Sequence, residues 1–289
     1  MIQADLHAHT TASDGQFTPE ELVRLAVHLE LSVIAVTDHD TTAGIAPAQL
    51  AARDQIAVIP GIELGARRDE QKVDVLGYFI HARHPDFQQR LQHFQQNRLQ
   101  RGQQMVQRLA ALGIPLDWPQ VAALAGGESV GRPHVARALV EAGYVADTRE
   151  AFDRYLGRSG PAYIARETLS PEEAIELIHL AGGVAVLAHP IYVPDFPAVV
   201  ERLVPAGLDG IEVYYPAHSA EIEARARELA EMHHLVMTGG SDFHGLNVPG
   251  KAMLGSALAP PGCVDALRER AANGQAQLIP ASARGSTDT

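Results

Sequence analysis

An α/β fold built on a parallel sheet is predicted by three observations. Short apolar runs alternate with amphipathic helical stretches, two of those helices carry the same start signal, and several apolar runs end on a histidine or a carboxylate. Repeated β-then-α units lay their strands side by side in a parallel sheet, open or closed into a barrel. In either form the carboxyl ends of the strands share one face, so residues scattered through the sequence converge there.

Candidate strands cover residues 2–7, 33–37, 57–60, 73–79, 184–189, 210–214 and 235–239. Thr18-Pro19-Glu20-Glu21 and Ser170-Pro171-Glu172-Glu173 open helices. Each offers an N-cap hydroxyl, proline at the first helical position and glutamate three residues after the cap. Apolar positions follow at helical spacing, Leu22, Leu25, Ala26 and Leu29 in one case and Ala174, Ile175 and Ile178 in the other. From about residue 86 to 167 the strand signals vanish. A Gln- and Arg-rich helix spans about 87–112, with Leu91, Phe94, Met105, Leu109 and Leu112 available for an apolar face; Gly113 ends it and Pro115 follows. Shorter helical segments are expected at 119–124, 133–142 and 148–156, and the small, polar stretch 281–289 reads as a disordered tail.

Composition narrows the class. A chain of 289 residues with 46% hydrophobic content can bury a large core. The single cysteine, Cys263, excludes an internal disulfide framework and a cysteine-based zinc cluster, and fits a reducing compartment. Residues 1–9 lack a basic region followed by an apolar one, and no run of about 18 apolar residues occurs, so the expected location is the cytoplasm, with no membrane partner. A formal charge of −12 disfavours a broad grip on duplex DNA, which takes many Lys or Arg contacts to phosphates. Of the 23 basic residues only Lys72 and Lys251 are lysine.

The chemistry begins in Asp5-Leu6-His7-Ala8-His9-Thr10. Alternation along a strand turns His7 and His9 to one side, and Asp14 lies just beyond in a loop containing Gly15. Neutral imidazole and carboxylate are ligands that Zn, Mn and Fe accept. Alone, His-x-His is equally compatible with a strand carrying two half-buried histidines. The later strand ends decide between the readings. Thr37-Asp38-His39-Asp40, Gly61-Ile62-Glu63, Ala188-His189-Pro190 and Ser241-Asp242-Phe243-His244 each follow a candidate strand, and repetition at equivalent positions points to a metal site.

In order and composition these motifs resemble those of the PHP-domain phosphoesterases (polymerase and histidinol phosphatase domain) over residues 5 to about 250. The resemblance implies a distorted (β/α)7 barrel with two or three divalent metal ions at its C-terminal face. Mn2+ is the first expectation; Zn2+, Fe2+ and Mg2+ are compatible with the same donors. It places His7, His9, Glu63 and Asp242 around one ion and Asp14, His39 and His244 around another, with Glu63 and His189 contributing to a third. Many relatives carry a histidine where this chain has Asp74, whose carboxylate can still ligate Mn or Mg. The implied domains are a discontinuous catalytic barrel, 1–85 and 168–280, and a small helical insertion, 86–167, covering the active site.

Within the insertion, Gly131-Arg132-Pro133-His134 and Tyr155-Leu156-Gly157-Arg158 resemble the bacterial branch acting on nucleoside 3′,5′-bisphosphates and on the 5′ ends of short oligonucleotides. Arg132, His134 and Arg158 are donors suited to phosphate oxygens. The expected activity is hydrolysis of the 3′-phosphate of a nucleoside 3′,5′-bisphosphate by a metal-activated hydroxide, without a phosphoenzyme. The seven residues His7, His9, Asp14, His39, Glu63, Asp242 and His244 would carry catalysis, and His134 or His189 would protonate the leaving oxygen. The alternatives are a 5′-3′ exonuclease on short 5′-phosphorylated RNA, a histidinol phosphatase, and a non-catalytic module stabilised by metal.

Overall fold

Only two residues separate Arg68 from Gln71, too few for a helical crossover, and this spacing sets the sheet's departure from parallel pairing. The computed structural model describes residues 2–68, 71–124, 131–165 and 168–278. Seven strands follow one another in chain order across one sheet: β1 (Ala4–Ala8), β2 (Val33–Val36), β3 (Ala57–Arg68), β4 (Gln71–Tyr78), β5 (Val184–Leu187), β6 (Gly210–Tyr214) and β7 (Val236–Gly239). β1, β2 and β3 pair in parallel, as do β5, β6 and β7, while β4 runs antiparallel to both neighbours. The uniformly parallel sheet expected from the β/α repetition is therefore mixed at its centre.

The sheet curls into a nearly closed barrel. The His9 amide donates to the Phe243 carbonyl at 2.9 Å, and Ala8 and Phe243 form a parallel bridge, joining β1 to the chain just beyond β7. Gly240 permits this approach, since a Cβ there would stand 2.4 Å from the backbone nitrogen of His7. β3 is also longer than expected. Pro60 and Gly61 look like terminators in sequence, yet the strand continues through Glu63. Pro60 stays in the ladder through its carbonyl, which accepts from the Ile80 amide at 3.3 Å, and Gly61 is required there because a Cβ would press within 3.0 Å of carbonyls on both flanking strands.

The helices are α1 (Pro19–His28), α2 (Ile45–Ala52), α3 (Pro85–Ala111), α4 (Trp118–Ala123), α5 (Arg132–Glu141), α6 (Thr148–Ala151), α7 (Pro171–Leu180), α8 (Phe196–Leu203), α9 (Ala220–Met232) and α10 (Cys263–Leu278). Both capping boxes form. Thr18 Oγ1 accepts from the Glu21 amide at 3.2 Å and Ser170 Oγ from the Glu173 amide at 3.2 Å, each glutamate returning to its cap amide. The helix expected at 148–156 is α6 followed by a π turn, Phe152–Leu156. Among the described residues no helix is long and apolar enough to cross a membrane.

The described residues divide into two compact units, one within residues 1–88 and 169–289 and the other within 89–168. The first holds the barrel, whose core gathers Leu6, Ala35, Ile59, Leu76, Tyr78 and Val186 from the strands with Leu267 and Ala271 from α10. The second has its own core, in which Met105 and Leu109 of α3 meet Val121, Val135, Leu139 and Leu156. Leu112, expected on the apolar face, is 48% exposed, since Gly113 ends the helix before another turn can cover it. The stretch 281–289 lies outside the described residues.

Candidate metal centre

Among the described residues, three groups of nitrogen and oxygen donors meet at the barrel. His7, His9, Glu63 and Asp242 form the first; His9, Asp14, His39 and His244 the second; Glu63, Asp74 and His189 the third, the donor atoms of each group lying within 4.8 Å of one another. β1 supplies His7 and the turn after it His9; the ends of β2, β5 and β7 lead into His39, His189 and Asp242; Glu63 and Asp74 come from within β3 and β4. Two of these positions have positive φ, His189 at 26° and Asp242 at 53°. Backbone in this region is disfavoured for side-chain-bearing residues and is retained mostly where the surroundings impose it.

Glu63 joins the groups. Its Oε2 lies 3.3 Å from His7 Nε2, 3.2 Å from His9 Nε2 and 3.2 Å from His39 Nδ1, while its Oε1 lies 2.9 Å from His189 Nε2. Asp242 Oδ1 is 3.2 Å from His9 Nε2. Asp14 Oδ1 is 3.3 Å from His244 Nε2 and 3.5 Å from His9 Nδ1. His9 thus faces the first group with one ring nitrogen and the second with the other.

Partners behind the donors fix their orientation. His7 Nδ1 donates to Glu212 Oε1 at 2.9 Å, which leaves Nε2 as the donor atom toward the first group. Glu212 Oε2 accepts from the His189 amide at 2.7 Å. His244 Nδ1 donates to the Asp242 carbonyl at 2.8 Å, turning its Nε2 toward Asp14. Asp38 accepts from the Thr10 amide and from the Thr10 and Ser13 hydroxyls, tying down the loop that presents Asp14. Tyr215 Oη and Lys251 Nζ bond Asp242 Oδ2 at 3.0 and 2.5 Å.

The chemistry of the donor set fits divalent metal ions. Both ring nitrogens of fully buried His9 lack a hydrogen bond of adequate direction despite their short distances to carboxylate oxygens, as does Nδ1 of His189. Buried polar atoms left in that state are costly unless something between them is satisfied. Electrostatics agree. Burial disfavours a charged His7, but Glu212, Asp242 and Glu63 outweigh it and raise its proton affinity well above the ordinary value. For His9, burial is likewise overcome by Asp242 and Glu63, and the pKa rises to about 9. Glu63 and Asp242, both buried, and Asp14, which is exposed, are all held below the carboxylate range by the surrounding histidines. Such a cluster binds protons in place of cations, and a divalent ion displaces them. Cys263, pushed up to about 12 by burial, offers no thiolate.

All eight ligand positions expected from sequence, His7, His9, Asp14, His39, Glu63, His189, Asp242 and His244, belong to these groups, and Asp74 joins them. Arg132, His134 and Arg158 belong to the second unit. There the Arg132 guanidinium lies 5.6 Å from the ring centroids of both Phe152 and Tyr163, and the Gly131 amide donates to His134 Nδ1 at the start of α5. Sequence reasoning missed Glu212, whose signal is a lone acidic residue inside an apolar strand, and gave no role to Asp38 or to Asp5, whose carboxylate accepts from the Ser241 and Gly255 amides and ties the chain after β7 to β1. A cavity of about 300 Å³ opens on His39, Glu63, Asp74, His189 and Asp242, with Tyr192 and both lysines also lining it.

The family model for the PHP domain matches residues 5–164. The 5′-3′ exoribonuclease Rnm of Salmonella typhimurium is 38% identical over 251 residues, 83% of this chain and 84% of that protein. The 3′,5′-nucleoside bisphosphate phosphatase of Chromobacterium violaceum is 34% identical over 280 residues, 93% and 96% of the two chains. A crystal structure of a metal-dependent phosphoesterase from Bifidobacterium adolescentis superposes with a TM-score of 0.75 at 32% identity, over 93% and 96% of the chains.

Proposed function

The chain belongs to the PHP-domain family, a metal-dependent phosphoesterase, and on that premise we propose that it removes the 3′-phosphate of nucleoside 3′,5′-bisphosphates, yielding a nucleoside 5′-monophosphate and phosphate. The observation that carries this reading is the donor cluster opening into a small cavity in a protein resembling a bisphosphate phosphatase over nearly its whole length. Mn2+ suits the mixed imidazole and carboxylate donors.

When bound, divalent ions lower the pKa of a bound water and draw off the charge that gathers on phosphoryl oxygens. The protein's own residues do the rest. His7, His9, Glu63 and Asp242 would hold one cation, and His9, Asp14, His39 and His244 would share in holding its neighbour. Glu212 and Tyr215 keep those ligands oriented. His189, which lines the cavity, would protonate the leaving 3′ oxygen, and no side chain is needed as nucleophile. Tyr192, 55% exposed at the cavity, offers a ring face to the base. By the resemblance of their motifs to that bacterial branch, Arg132 and Arg158 would offer donors for the second phosphate.

A second reading is favoured by the higher identity to the exoribonuclease: stepwise 5′-3′ removal of nucleotides from short 5′-phosphorylated RNA. Product analysis separates the two. Incubated with adenosine 3′,5′-bisphosphate and with a 5′-phosphorylated RNA pentamer, the protein is expected to release inorganic phosphate rapidly from the first and mononucleotides slowly from the second. Mononucleotides as the faster product reverse the assignment. Arg132→Ala is expected mainly to raise KM for the bisphosphate, and unchanged kinetics would remove that residue from substrate binding.

A further inference from the structure

Two side chains in the whole chain end in an ammonium, and both line the same cavity. Lys72 and Lys251 share the space with His39, Glu63, Asp74, His189 and Asp242, whereas all 21 other basic residues are arginine. Each lysine is set on a carboxylate of the metal centre. Lys72 Nζ is 2.5 Å from Asp74 Oδ2, and Lys251 Nζ is 2.5 Å from Asp242 Oδ2. An ammonium is a compact point charge with rotatable donors and fits where a planar guanidinium does not.

The two lysines have different surroundings. Asp242 also faces His7 and His9 and accepts from Tyr215, so Lys251 is one of several partners there. Asp74 is poorer: 1% exposed, it has the Lys72 ammonium at 2.5 Å and His189 Nε2 at 3.7 Å, and among the described residues neither of its oxygens finds a well-directed hydrogen bond. The third group, Glu63, Asp74 and His189, sets two buried carboxylates against one imidazole, whereas the second sets one carboxylate against three imidazoles. Two buried like charges need a cation close by. Lys72 meets that need from its own strand, since residues 72 and 74 point to the same face of β4. Its side chain is 59% exposed and reaches inward from the cavity wall, so the charge enters a buried corner while the stem stays near solvent.

We propose that the Lys72 ammonium stands in place of a metal ion in the Glu63–Asp74–His189 corner, so that this chain carries two divalent ions and a built-in third cation. The inference rests on the first and second groups binding metal. A fixed positive charge beside Asp74 repels an incoming ion. Removing that charge without removing the ligands should open the corner.

Equilibrium dialysis of the full chain against excess Mn2+, with the bound metal counted by mass spectrometry, tests this without reference to activity. Two ions per chain are expected in the wild type and three in Lys72→Met, a change at a largely exposed stem; Lys72→Gln serves if Lys72→Met does not fold. A wild-type count of one or three, or a variant that gains no ion, overturns the substitution of lysine for metal. A wild type that holds no Mn2+ overturns the metal reading itself, and the proposal with it.

Discussion

Glu212, fully buried behind the donors, shows how an orienting residue sets the chemistry of the centre. One of its oxygens takes the His7 Nδ1 proton and the other the His189 amide proton, so it orients candidate ligands from two different groups. In Glu212→Gln one oxygen can still accept, but the amide NH2 then meets a second donor. Metal affinity is expected to fall roughly 10- to 100-fold, the usual cost of losing such an orienting partner, measured by competition with a chelating dye; an unchanged affinity would show that His7 is oriented by something else. The histidines also make metal binding depend on pH. His9 has its folded pKa raised from 6.5 to about 9, so the metal-free protein holds a proton there at neutral pH that a metal must expel. Mn2+ affinity should therefore rise with pH toward about 9, with proton release visible by calorimetry in buffers of different ionisation enthalpy. The sign for stability is opposite. A raised histidine pKa stabilises the metal-free fold fully below 6.5, and that contribution is lost as pH rises through about 9. A metal-free melting temperature that climbs across this interval would contradict the assignment.

At the scale of elements, the two units have separate cores and separate vulnerabilities. Leu109 on α3 is fully buried among apolar residues of the second unit, and Leu109→Ala should cost about 2–5 kcal/mol. Thr18→Ala, which removes one capping hydroxyl from α1, should cost about 1 kcal/mol. Urea unfolding followed by fluorescence and circular dichroism checks both; a Leu109→Ala loss below that of Thr18→Ala would place Leu109 outside the core. The elements also mark where sequence reading stops. Thr18 and Ser170 were legible as caps because their hydrogen bonds are local and their pattern is complete within four residues. The extent of β3 was not, since Pro60 and Gly61 are ordinary terminators and only the neighbouring strands make them acceptable. The ligands were legible because they fall at or near strand ends with a recurrent composition. Glu212 was hidden in Gly210-Ile211-Glu212-Val213, where its partners are remote in sequence, His7 above all. The antiparallel course of β4 follows from the two-residue spacing at 69–70, a signal outweighed in the sequence by the β/α repetition around it.

For the whole molecule, a net charge of −12 and a cavity of about 300 Å³ favour a small anionic substrate drawn in by local cations over a long polyanion held by a broad surface. The barrel gathers donors from positions 7 to 244 into one place, and those donors lack satisfaction unless protons or metal ions join them. Catalysis should accordingly be lost and regained with the metal alone. The most direct measurement is phosphate release from adenosine 3′,5′-bisphosphate by protein stripped with a chelator, before and after Mn2+ is restored. No release from the stripped protein and full recovery with Mn2+ is the expected result; undiminished release from metal-free protein, or none after Mn2+ is returned to folded protein, would contradict it.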